Sequence, residues 1–85
     1  MKLAQFVKFR EEKFGAVLFE TRSEKVYALN PTAAAVVREV QAGTPADDIP
    51  ARLRERYTDS DGGQIEREAL DFTQQLRDNG LVVEE

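Results

Sequence analysis

The pair Asn30-Pro31 divides the chain into two stretches of different hydrophobic period, and that division constrains the fold more than any other feature. Before it, Val7 and Phe9 alternate with Lys8 and Arg10, the period-two pattern of a half-buried strand. Phe14-Gly15-Ala16-Val17-Leu18-Phe19 carries no polar side chain, as expected of a central strand covered on both faces. Thr21-Arg22-Ser23-Glu24 reads as a polar turn, after which Lys25-Val26-Tyr27-Ala28-Leu29 returns as a third strand. Short connections favour an antiparallel meander in which this third strand is an edge.

Beyond the pair, the period becomes helical. Asn30 can accept a hydrogen bond as a helix cap, and Pro31 suits a first helical position because its missing N–H would have no partner there. Ala33, Val36, Val37 and Val40 follow at helical spacing, and Gly43 is a stop signal. A helix starting at Pro45 would hold Pro50 in its interior, at a cost of roughly 3 kcal/mol. A cap at Asp47 places Pro50 harmlessly in the first turn, with Ile49, Leu53 and Tyr57 as the buried stripe. Thr58 to Gly63 is a loop. The last helix runs from about Gln64 to Asp78 and buries Ile65, Ala69, Phe72 and Leu76, with Asn79-Gly80 ending it. Three antiparallel strands followed by three helices define an α+β domain with the helices on one side of a small sheet.

At 85 residues this is one domain, and such a chain buries only about 60–65% of its unfolded surface, too little to enclose a large cavity. There is no cysteine or histidine, which excludes disulfides, thiolate nucleophiles, imidazole bases and the usual zinc, haem and iron–sulfur ligands. No catalytic residue, cofactor or resident metal is expected, and a binding module is the default. Asp59, Asp61, Gly62 and Glu68 match part of a calcium loop, but Tyr57 would occupy the first ligand position; capping and solvation explain these acids better. The N-terminus lacks a signal-peptide h-region, and the longest apolar run, Ala33 to Val37, is far below the ~20 residues that span a bilayer. A cytoplasmic protein without membrane attachment is expected.

The net charge is −4, unevenly spread. Residues 1–30 hold six cations against four acids, and residues 31–85 six arginines against twelve acids. A sheet beside three helices suggests a winged helix and hence a DNA-binding regulator as an alternative. Between Gln64 and Asn79, however, two arginines face four acids, a balance that repels phosphate. Arg52, Arg54 and Arg56 are the only basic concentration on a helix; solubility is their expected role.

The expected edge strand is unusual. Val26-Tyr27-Ala28-Leu29, with only Lys25 as a gatekeeper, offers unpaired backbone groups to another strand. On the last helix, Glu66, Leu70, Thr73 and Arg77 fall beside the core stripe by angular count. Next to the edge, this flank would bound a groove with a backbone wall, an apolar floor at Leu70 and Arg77 for a carboxylate, the physics of β-strand addition. Alternatively, Leu70 widens the core stripe and the helix covers the edge.

The stretches Phe14 to Phe19, Tyr27-Ala28-Leu29-Asn30-Pro31-Thr32-Ala33-Ala34-Ala35, the helix reaching Tyr57, and Leu76 through Asn79-Gly80-Leu81 together resemble the PqqD-like family. The resemblance covers nearly the whole chain. It implies a winged helix-turn-helix-like domain, a stand-alone recognition element for ribosomally made, post-translationally modified peptides. The partner implied is the leader of a precursor peptide, bound as a strand against residues Lys25, Val26, Tyr27, Ala28 and Leu29 beside Glu66, Leu70, Thr73 and Arg77. A modifying enzyme, often a radical S-adenosylmethionine maturase, would receive it, for pyrroloquinoline quinone or another peptide product. Pro50, Gln64 and Ala16 depart from the family pattern outside this groove. Other expectations are a non-catalytic subunit of a modifying complex as a rival role, no nucleic-acid partner, and a monomer or strand-swapped dimer through the open edge.

Overall fold

A computed structural model describes residues 1–13, 15–56 and 62–84. In chain order the elements are β1 (Lys2–Leu3), β2 (Val7–Glu12), β3 (Gly15–Glu20), β4 (Lys25–Leu29), α1 (Pro31–Gln41), a short 3-10 turn (Ala46–Asp48), α2 (Ile49–Arg56), α3 (Gly62–Asp78) and β5 (Val82–Val83). The three longer strands form an antiparallel meander in the order β2-β3-β4. The register pairs Phe9 with Leu18 and Leu18 with Tyr27, and it sets Ala16 beside Leu29. The expected α+β arrangement is therefore present. Among the described residues no helix is long and apolar enough to cross a membrane.

The helix boundaries follow local chemistry. Asn30 Oδ1 accepts from the Ala33 N–H at 2.8 Å, and Pro31 opens α1. At the other end Gly43 takes φ 86°, so that the Thr44 N–H reaches the Glu39 carbonyl and the Gly43 N–H reaches that of Val40. Gly80 repeats this termination on α3 at φ 68°, with the Leu81 N–H bonded to the Leu76 carbonyl. Both positions need the left-handed backbone that glycine adopts without a Cβ penalty. Pro50 is the second residue of α2, in its first turn as anticipated.

α1 is the hub. Ala33 to Val37, Glu39 and Val40 are all buried, because small and β-branched side chains let the sheet, α2 and α3 approach this helix closely. Leu18 from the sheet, Ile49 and Leu53 from α2, and Leu76 from α3 are the other large side chains that are fully buried. Tyr57, expected on the α2 stripe, and the acids of the Asp59 loop lie outside the described residues.

Three features were not anticipated. β1 and β5 form a two-stranded antiparallel ribbon, Lys2 beside Val83 and Leu3 beside Val82, which ties the chain ends together and buries Ala4 and Leu81. The outer face of β3 is not fully covered: Val17 and Phe19 remain half-buried next to exposed Val26, so its apolar composition does not reflect two covered faces. The arginines of α2 are not simply solubilising. Arg52 and Arg56 both pair with buried Glu39 of α1, while Arg54 pairs with Glu66 of α3.

Candidate functional site

β4 has one neighbour, β3, so its other edge is unpaired among the described residues. β2 is the opposite edge of the same sheet, and the two differ in kind. Lys8, Arg10, Glu11 and Glu12 make β2 mostly charged, a common protection against strand addition. β4 carries Val26, which is 62% exposed, and exposed Ala28, with Lys25 at its start. Tyr27 is half-buried against the core and Leu29 is buried, so Leu29 offers an added strand only its backbone.

The turn that delivers this edge is held from within. The Glu20 carboxylate accepts from the Ser23 hydroxyl and from the Arg22 N–H, the latter at 2.9 Å. These bonds, led by that from Ser23, hold the Glu20 carboxyl below its ordinary range, against the opposing effect of desolvation. Glu24 closes the turn in the left-handed region at φ 60°.

Beside the C-terminal half of the free edge lies a groove of about 320 Å³. Ala28 and Asn30 line one side, Thr32 and Ala33 of the first turn of α1 the end, and Glu68, Asp71, Phe72 and Gln75 of α3 the other side. Phe72 packs on the core and supplies an apolar floor. The groove therefore joins unpaired backbone, an aromatic surface and a polar helix row.

Of the expected edge residues Ala28 lines this groove, whereas Val26 lies over the outer face of the sheet with Phe9, Val17 and Phe19, and the expected helix residues do not line it. None of Glu66, Leu70, Thr73 and Arg77 lines it. Glu66 Oε1 accepts from Arg54 Nη1 at 3.1 Å, toward α2. Arg77 Nε donates to Glu84 Oε1 at 2.8 Å, past β5. Leu70, 57% exposed, lines neither the floor nor the rim, and Thr73 is buried, its Oγ1 without a partner among the described residues. An angular count identifies the two flanks of a helix; the packing of α3 against α1 and α2 decides which flank borders the sheet edge. The row actually presented, Glu68, Asp71 and Gln75, repeats at i, i+3 and i+7 around Phe72. That spacing is present in the sequence, but the core stripe takes in Phe72 and the angular count singles out the opposite flank.

The family model described as coenzyme PQQ synthesis protein D (PqqD) matches residues 15–82. The chain belongs to the PqqD family. The match spans β3, β4 and all three helices, and so contains both walls of the groove. Two solved structures are similar to this PqqD-family chain. One is TbiB1 in complex with the TbiA(beta) leader peptide, 20% identical over 95% of this chain and 93% of that one, with a TM-score of 0.78. The other is lasso peptide synthetase B1 complexed with the leader peptide, 25% identical over 98% of this chain and 96% of that one, also with a TM-score of 0.78. Comparison with curated proteins gives no match.

Proposed function

We propose that this PqqD-family chain is a non-catalytic peptide carrier that captures the leader of a ribosomally made precursor by strand addition to β4. It then presents the leader to a peptide-modifying enzyme. The observation that carries this reading is an unpaired, apolar strand edge beside a groove in a domain whose opposite edge is charged. Backbone pairing along Lys25 to Leu29 supplies affinity, and alternate side chains of the guest enter the groove over Phe72 and Gln75. Family membership and the leader-bound state of two proteins of like fold support the choice of guest. We assign the enzyme to the radical S-adenosylmethionine maturases, on the family resemblance, and the cytoplasm as the site of action. The regulator alternative is disfavoured because Arg52, Arg54 and Arg56 are engaged in ion pairs within the fold and would have to leave them to meet phosphate.

Ordering an extended peptide costs several kcal/mol, so an affinity of about micromolar is expected. The test uses ten-residue peptides selected from a displayed random library on the intact protein and then synthesised. Bound peptide should slow amide exchange along β4. Phe72→Ala, which removes the groove floor, should weaken binding about tenfold or more, whereas Leu70→Asp on the far flank should leave it unchanged. Proline at Tyr27 or at Ala28 removes a donor on opposite sides of β4, and the outward one should abolish capture without unfolding the domain. Exchange protection elsewhere on the molecule, or equal loss from Leu70→Asp and none from Phe72→Ala, would refute the site.

A further inference from the structure

The charged side chains lining the groove are both acidic. Glu68 and Asp71 stand three residues apart on one face of α3, and no lysine or arginine lines the space with them. Their condition differs from that of five other carboxylates in the fold. Glu11, Glu20, Glu39, Glu66 and Glu84 each pair with an arginine. Among the described residues Glu68 accepts only from the neutral amide of Gln64, Nε2 to Oε1 at 3.3 Å, and Asp71, which is exposed, has no ion-pair or hydrogen-bond partner. Arg77, the cation expected to receive a leader carboxylate, is bound to Glu84 on the other flank. The unpaired edge of β4 is the independent feature that brings a guest backbone alongside.

We infer that the groove selects a guest peptide carrying a lysine or arginine at the position that faces α3 near Ala28, its cation seated between Glu68 and Asp71. This rests on strand addition to β4 as the mode of capture. Along an added strand every second side chain points into the groove, so one register position meets these two carboxylates. A long basic side chain suits the geometry. Its aliphatic stem lies over Phe72, and its head reaches the carboxylates while remaining partly hydrated. A glutamate at that position would meet two like charges with no cation within the groove. The charge preference is thus opposite to the one the sequence suggested, because the packing of α3 brings its acidic row, and not Arg77, to the edge.

The experiment takes one captured ten-residue host peptide and moves a single lysine, glutamine or glutamate through each position. Affinities for the wild-type protein and for a Glu68→Gln, Asp71→Asn double variant are measured by fluorescence anisotropy at low and high salt. At one position, and not at its sequence neighbours, lysine should bind about three- to fivefold tighter than glutamine, with glutamate weaker than both. The gap should shrink at high salt, close in the double variant and invert in Glu68→Lys. If the glutamine host binds β4 as before but lysine and glutamate are equivalent at every position, the charge preference is overturned while strand capture stands. If no peptide in the set protects β4, both are overturned.

Discussion

Replacing Glu39 with alanine should reveal how the helices that bear the groove are held together. Glu39 is only 2% exposed and belongs to α1, yet its partners lie outside that helix. The Thr44 hydroxyl donates to Oε1 at 2.7 Å, Arg52 Nε donates to the same oxygen at 2.8 Å, and Arg56 Nη2 lies 3.3 Å from Oε2. Removing one partner of a fully buried ion pair typically costs about 3–5 kcal/mol, mostly because the other charge is left unpaired. Here the arginine side chains are 53% and 52% exposed and can regain water. What remains is the loss of charge-assisted hydrogen bonds, the stranded Thr44 hydroxyl and a small void, together about 2 kcal/mol. For a domain of this size that corresponds to a melting point lower by about 8–16 °C. The Thr44 bond is the main cause holding the Glu39 carboxyl below its ordinary value of 4.5, with Arg52 and Arg56 adding to it and burial opposing it. A carboxyl depressed in the folded state stabilises fully above its unfolded pKa and loses that contribution as pH falls through the folded value. Urea unfolding followed by circular dichroism should therefore separate wild type from Glu39→Ala at neutral pH, with the gap narrowing below pH 4.5. Equal midpoints at neutral pH, or a gap undiminished in strong acid, would refute the reasoning.

Two further substitutions test local features. Asn30→Ala removes the acceptor that caps α1 and should lower stability by about 1 kcal/mol; an unchanged thermal midpoint would mean that the cap bond to Ala33 contributes nothing. Thr73→Val replaces a buried hydroxyl that has no partner with a methyl of similar volume and should raise stability by roughly 1 kcal/mol, whereas a loss by urea titration would show that the hydroxyl is bonded in solution.

Much of the scaffold was legible because local chemistry repeats along the chain. Asn30 followed by Pro31, Gly43 after α1, Pro50 near the start of α2 and Gly80 after α3 each act through backbone geometry within a few residues. β1 and β5 escaped notice because two residues cannot display a period, and their pairing joins opposite ends of the sequence. The roles of Arg52 and Arg56 were hidden for a related reason. Their partner Glu39 looks in sequence like one more surface acid on an amphipathic helix, and only the crossing of α2 over α1 buries it.

The chain by itself determined which of the longer segments extend, which coil, where each turns, and that residues 25–29 would end a sheet with an apolar border. Those outcomes depend on φ preferences, alternation and caps, all of which act over short distances. The tertiary structure alone decided which flank of α3 stands beside that border, and with it the sign of the groove's charge. A rotation of a helix by about half a turn exchanges Arg77 for Glu68 and Asp71. That rotation is fixed by how Ile65, Ala69 and Leu76 pack with α1 and α2, a sum of contacts between distant residues that no local period records.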